Sequence, residues 1–132
     1  VTTVLLATDS DELFVAVDGA LADDDTDVLR VTAGTDVIPV CQQRTPDLLL
    51  LDLQIANMGG IATCIGVKQE QRVERLLPFP VGLLLDRAVD VFLAQEVGAE
   101  GWIVKPIDSL RLRRMATLLL AGENSRETVS AS

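Results

Sequence analysis

Three charged residues each stand where a short apolar run stops: Asp9 after Val4-Leu5-Leu6-Ala7, Asp52 after Leu48-Leu49-Leu50-Leu51, and Lys105 after Trp102-Ile103-Val104. Two carboxylates brought within a few ångströms repel each other, so one takes up a proton or a cation sits between them. Hard divalent cations accept oxygen ligands of this kind, and Mg2+ keeps several waters when only one or two carboxylates are offered. Lys105 adds a flexible point charge. The chain uses Arg nine times and Lys twice, and one of the two lysines closes an apolar run. Two acids, a lysine and a metal suit a carboxylate that attacks a phosphoryl group while Mg2+ and Lys offset the charge. Each residue also has a plainer reading: an Asp at a strand end caps a turn, and a lone Lys lies along the surface.

The scaffold for these groups is written in the hydrophobic pattern. Four leucines between Asp47 and Asp52 read as a strand covered on both faces, which belongs in the middle of a parallel sheet. Val4-Ala7 reads as a first strand, with a helix capped at Asp9 or Ser10 and carrying Phe14, Val17 and Leu21 on one stripe. Val28-Thr32 alternates and carries Arg30, which places it at a sheet edge. A second helix runs from Thr35-Asp36 to about Arg44, or begins only at Pro39. Gly59-Gly60 opens a third helix with Ile61, Cys64 and Ile65 inward. Val81-Leu85 is a fourth strand, and Asp86 caps a fourth helix that turns Val89, Phe92, Leu93 and Val97 inward. A fifth strand ends at Lys105-Pro106, and a last helix from Asp108 or Ser109 buries Leu112, Met115, Ala116 and Leu119 before Gly122.

Strict βα alternation with five strands predicts an α/β sandwich of three layers, its strands parallel and its crossovers right-handed. The flavodoxin-like (βα)5 order 2-1-3-4-5 puts strands 1 and 3 together, so Asp9 and Asp52 are expected to share one crevice outside the carboxyl ends of the strands. The domain is expected to occupy residues 1–122, with 123–132 a disordered polar tail.

The 132 residues suit one domain. A net charge of −9 argues against direct nucleic-acid binding, which needs a basic face. No apolar run approaches the roughly 18 residues of a membrane span, and Val4-Ala7 is too short for a signal peptide, so no membrane partner and a cytoplasmic location are expected. Cys41 and Cys64 sit in apolar helical patterns without a His in the chain, and read as buried thiols. The acidic run Asp23-Asp24-Asp25-Thr26-Asp27 reads as a solvated loop, since it lacks the spacing of a calcium loop.

From Val4 to about Gly122 the chain resembles a response-regulator receiver domain, on Asp9 after strand 1, Asp52 with Gly60 eight residues on, and the tract Gly98-Ala99-Glu100-Gly101-Trp102-Ile103-Val104-Lys105-Pro106. Leu84-Leu85-Asp86-Arg87 through Lys105-Pro106-Ile107-Asp108, with Leu110-Arg111-Leu112-Arg113-Arg114, is similar to the single-domain receivers of actinobacteria. The resemblance implies that Asp52 accepts a phosphoryl group from a histidine kinase or phosphotransfer protein, with Lys105 pairing the phosphoryl group. It implies Mg2+ held by Asp9, Asp52 and the main-chain carbonyl of Gln54, a cis Lys105-Pro106 bond, and output through contacts with an unnamed downstream protein and not through catalysis.

Departures from the family pattern accompany the match. Thr8 stands where receivers usually carry the first of two adjacent acids, and Ala56 stands where they carry Pro, which loosens the loop after strand 3. Receivers end strand 4 in Thr or Ser, whose hydroxyl couples the phosphoryl group to the aromatic on strand 5, here Trp102. Counting from either side puts Leu83 or Leu85 at that place. These departures favour an alternative, an atypical pseudo-receiver used as a phosphorylation-independent interaction or dimerisation module. A phosphohydrolase needs a second carboxylate two residues after its nucleophile, where this chain has Gln54. A dinucleotide fold needs glycines in the first turn, where there are none. Leu110 and Leu118 lie off the core stripe beside Arg111, Arg113 and Arg114, a mixture that suits a homodimer face on the fourth and fifth helices or scattered surface residues.

Overall fold

The computed structural model describes residues 1–126. In chain order the elements are β1 (Thr2–Ala7), α1 (Asp11–Leu21), β2 (Thr26–Val31), α2 (Val37–Gln43), β3 (Leu48–Asp52) and α3 (Gly60–Arg72), then β4 (Val81–Leu85), α4 (Val91–Glu96), β5 (Gly101–Val104), α5 (Ser109–Leu120) and β6 (Ser125–Arg126). The strands lie parallel in the order β2-β1-β3-β4-β5-β6. The flavodoxin-like order 2-1-3-4-5 is therefore present, with the Arg30 strand at one edge. The other edge is a correction: the ordered sheet does not stop at Gly122, because Ser125 N–H donates to Glu100 O at 3.0 Å and β6 pairs with Gly101 and Trp102. The rest of the predicted tail, residues 127–132, lies outside the described residues.

The leucine run explains why β3 is central. Leu48 and Leu50 join Val4, Leu6, Leu84 and Ile103 in a layer under α1 and α5, whereas Leu49 and Leu51 join Leu5, Leu83, Leu85 and Trp102 under α2, α3 and α4. Alternate side chains of a strand point to opposite faces, so a run of four leucines supplies both cores at once. The four residues read as the inner stripe of α5 are all buried. Ser10 caps α1 by accepting from Leu13 N–H, and Asp108 caps α5 by accepting from Arg111 N–H. Phe14 is half-buried with the Arg30 guanidinium 5.3 Å from its ring centre. Cys41 and Cys64 lie in the core as free thiols, and burial pushes each pKa up to about 11.

Two helices depart from the sequence reading. In α3 the buried positions are Gly60, Thr63, Cys64 and Val67, while Ile65 faces solvent. In the α4 region a 3-10 turn at Ala88–Asp90 shifts the phase of the helix after it, and only Ala94 of the six helical residues is fully buried. Val89, Phe92 and Leu93 are exposed, Phe92 at 74%. Asp86 does not cap this helix; the turn is closed by Arg87 and Asp90 instead, with Arg87 N–H donating to Asp90 Oδ2 at 2.9 Å.

The loop after β3 is tied down despite Ala56. Gly34 N–H donates to Ala56 O and Thr35 N–H to Asn57 O, while Thr63 Oγ1 donates to Met58 O at 2.6 Å. A Cβ on Gly34 would meet Met58 O at 2.2 Å and Asn57 O at 2.7 Å, so this contact admits only glycine. Gly19, in the interior of α1, has nothing within 4 Å of a built Cβ. Gly19→Ala is therefore expected to stabilise the fold by about 0.5–1 kcal/mol through helix propensity. Gly34→Ala is expected to destabilise it by roughly 2 kcal/mol. Urea unfolding of the two variants checks both signs.

Candidate functional site

The site forms where β1, β3, β4 and β5 end side by side. Ala7 pairs with Leu51, so the register sets Thr8, and not Asp9, beside Asp52. Thr8 Oγ1 donates to Asp52 Oδ2 at 2.6 Å, and its own backbone is fixed by Thr8 N–H to Val31 O and by Arg30 Nε–H to Thr8 O, both at 3.0 Å. Asp52 is 2% exposed although it ends a strand. Its other oxygen, Oδ1, accepts from Lys105 Nζ at 2.6 Å and from Gln54 N–H at 3.1 Å. Gly60 makes this packing feasible, since a Cβ there would sit 2.6 Å from Asp52 O.

Lys105 reaches the crevice from the end of β5, where Lys105 N–H donates to Leu85 O at 2.7 Å and the following bond to Pro106 is cis. Its ammonium is shared: besides Asp52 it donates to Asp86 Oδ1 at 2.9 Å. Asp86 Oδ2 in turn accepts from Gln54 Nε2 at 2.7 Å, closing a ring of Asp52, Lys105, Asp86 and Gln54. Asp86 is the functional residue that the sequence reading missed. The available signal was its place directly after β4, the strand that lies between those of Asp52 and Lys105. Beside the ring a cavity of about 280 Å³ is lined by residues that include Ser10, Leu13, Asp52, Lys105, Pro106 and Ile107.

Asp9 is exposed after β1. Among the described residues no three His, Cys, Asp or Glu side chains converge on one point. The donors near Asp52 are nonetheless hard oxygens. Among the described residues Oδ2 accepts from Thr8 alone and so keeps a lone pair, and one or two carboxylates with a carbonyl suit Mg2+. Leu83 and Leu85 are both fully buried; Leu85 ends β4, and Leu83 pairs with Trp102. Trp102 is 2% exposed and packs in the same core layer as both leucines. The indole is thus inside the core.

Burial opposes the charge of Lys105, but the hydrogen bonds and charges of Asp52 and Asp86 overcome it and hold its pKa above the ordinary lysine value. Partial burial likewise works against the Asp86 carboxylate, and the hydrogen bonds from Lys105 and Gln54 overcome it, leaving its pKa below the ordinary value. A raised lysine pKa contributes stability that is complete below the unfolded value and lost as pH rises through the folded one. A lowered Asp pKa contributes stability present above the unfolded value and lost as pH falls through the folded one. Removing one partner of a buried pair leaves the other uncompensated, so Lys105→Met is expected to destabilise by roughly 3 kcal/mol at neutral pH. The gap to wild type should hold between about pH 5 and pH 10 and narrow on both sides, as urea unfolding across pH would show.

The sequence matches the family model for the response regulator receiver domain over residues 4–117. Similar proteins include the transcriptional regulatory protein AfsQ1 of Streptomyces coelicolor, 29% identical over 98% of this chain and 56% of its own length. The transcriptional regulatory protein CseB of Streptomyces avermitilis is 30% identical over 99% of this chain and 57% of its own. The chain thus spans about half the length of these curated relatives. Among solved structures, the signal receiver domain of a signal transduction histidine kinase from Syntrophus aciditrophicus covers all of this chain and 99% of its own, with a TM-score of 0.80 at 24% identity. The strand order, the buried Asp52 bonded to Lys105 and the match over residues 4–117 agree, and the chain belongs to the response regulator receiver domain family.

Proposed function

We propose that Asp52 accepts a phosphoryl group from the phosphohistidine of a histidine kinase or phosphotransfer protein, and that the chain signals through protein contacts. The observation that carries this reading is the 2.6 Å pair between Lys105 Nζ and a carboxylate that ends a central strand and borders a cavity. An Asp52 oxygen attacks phosphorus, forming the O–P bond as the P–N bond of the donor breaks; the imidazole leaves with the electron pair. Lys105 stands within reach of the charge that gathers on the phosphoryl oxygens. Thr8 and Gln54 N–H hold the carboxylate in place from either side. Asp9, Asp52 and the Gln54 carbonyl are the groups that would hold Mg2+, which when bound offsets phosphoryl charge. We assign output to α4 and α5; the exposure of Phe92, Leu93 and Leu110, apolar surface available to a downstream protein or a second copy, supports this.

A second reading has its own support. Both Asp52 oxygens are already bonded, to Lys105 and Gln54 N–H on one side and to Thr8 on the other, so the site is satisfied without a ligand. That favours a pseudo-receiver, a fold used for binding alone. Incubation with acetyl phosphate and Mg2+ followed by intact mass analysis separates the two. One phosphoryl mass is expected on the wild type and none on Asp52→Asn, with labelling of Lys105→Ala slowed on the order of a hundredfold. A wild type that stays unmodified decides for the pseudo-receiver.

A further inference from the structure

The ammonium of Lys105 serves two carboxylates, Asp52 at 2.6 Å and Asp86 at 2.9 Å. Asp86 is not a surface bystander: its other oxygen is held by Gln54, and the residue after it, Arg87, opens the closed turn to Asp90 that leads straight into α4. Asp90 is itself buried and bonded to Arg87, so the two ends of this turn are tied together. The helix it carries is weakly anchored, since Ala94 is its one fully buried residue and Val91 is only partly covered. The bond between Asp86 and Lys105 is thus a direct link from the Asp52 site to the least tightly packed helix of the fold.

A group on Asp52 that carries more negative charge than the carboxylate draws Lys105 toward itself. Asp86 then loses its counter-ion and faces an anion of its own sign, and like charges at this range repel. We propose that Asp86 is the positioning residue that couples the site to α4 by repulsion: an anion on Asp52 takes Lys105, and Asp86 swings away with the turn 87–90. The route differs in sign from the attraction by a strand-4 hydroxyl, which Leu83 and Leu85 are unable to supply. It rests on the reading of Asp52 as a phosphoacceptor, and it adds which residue responds and in which direction.

Beryllofluoride with Mg2+ serves as the probe, titrated onto the wild type, Asp86→Asn, Asp86→Glu and Asp52→Ala, with bound fluoride followed by 19F NMR and amide exchange by mass spectrometry. Wild-type binding should speed exchange across residues 86–96 several-fold. Asp86→Asn, the same shape without the charge, should bind about tenfold more tightly and show no such response. Asp86→Glu should stay near the wild type, because the charge and not the side-chain length is what opposes the anion. Equal affinity in the wild type and Asp86→Asn overturns the coupling and leaves the phosphoacceptor reading standing. So does a wild type whose exchange over 86–96 ignores the ligand, or an Asp86→Glu that behaves like Asn. Absence of any binding that Asp52→Ala abolishes overturns both.

Discussion

The ion pair between Asp52 and Lys105 is the constraint on which the rest of the structure turns. A carboxylate that is 2% exposed is costly to keep ionised unless a cation and hydrogen bonds replace its water. The fold provides these from three strand ends at one edge of the sheet: Thr8 after β1, Lys105 after β5, and the backbone of Gln54 in the loop after β3 itself. None of these groups is near Asp52 in the chain except Gln54. Only the parallel order, with every strand running toward the same edge, delivers them together. The leucines behind Asp52 fill both cores and hold that edge in register.

A close-packed sheet also fixes what the site can move. Trp102, Leu83 and Leu85 fill one layer without exposure, and packed interiors resist continuous deformation. What lies outside the layer on this side is the segment from Asp86 to α4, where Asp90 and Ala94 are the buried residues. A ligand shifts a conformational equilibrium only through groups that interact differently with its two states. In this chain the ion pair of Asp86 and Lys105 stands at the junction between the site and that segment, with Arg87 next to it.

Much of this was legible in the sequence, and the rest was hidden for physical reasons. Runs that supply both cores, such as Leu48–Leu51, or a full stripe, such as Leu112 to Leu119, announce themselves because long periodic burial leaves a pattern. The six-residue α4 does not. It is shorter than two turns, the 3-10 turn before it rotates its phase, and a stripe extrapolated through Val89, Phe92 and Leu93 points to water. Asp86 reads as a helix cap because an Asp after a strand suits a cap or a site equally well, and only the position of Lys105 on the adjacent strand decides between them. Thr8 rather than Asp9 meets Asp52 because a parallel register is set across strands, with no local sequence trace. β6 escapes for a similar reason: two polar residues carry no periodicity, and it is the bare edge of β5 beside Gly101 that admits them.

The departures from the family pattern also compensate one another. Where receivers place an acid after strand 1 and a hydroxyl at the end of strand 4, this chain has the hydroxyl of Thr8 after β1 and the carboxylate of Asp86 after β4. Those two strands flank β3 on either side, so Asp52 meets the hydroxyl directly and the carboxylate of Asp86 through Lys105. Lys105 is shared between two carboxylates and both Asp52 oxygens are hydrogen-bonded, which is why the buried charge is tolerated. On the α4 side the group nearest Lys105 is then a carboxylate, which opposes an anion on Asp52 where a hydroxyl would attract it, and in this structure Lys105 offsets that carboxylate at 2.9 Å.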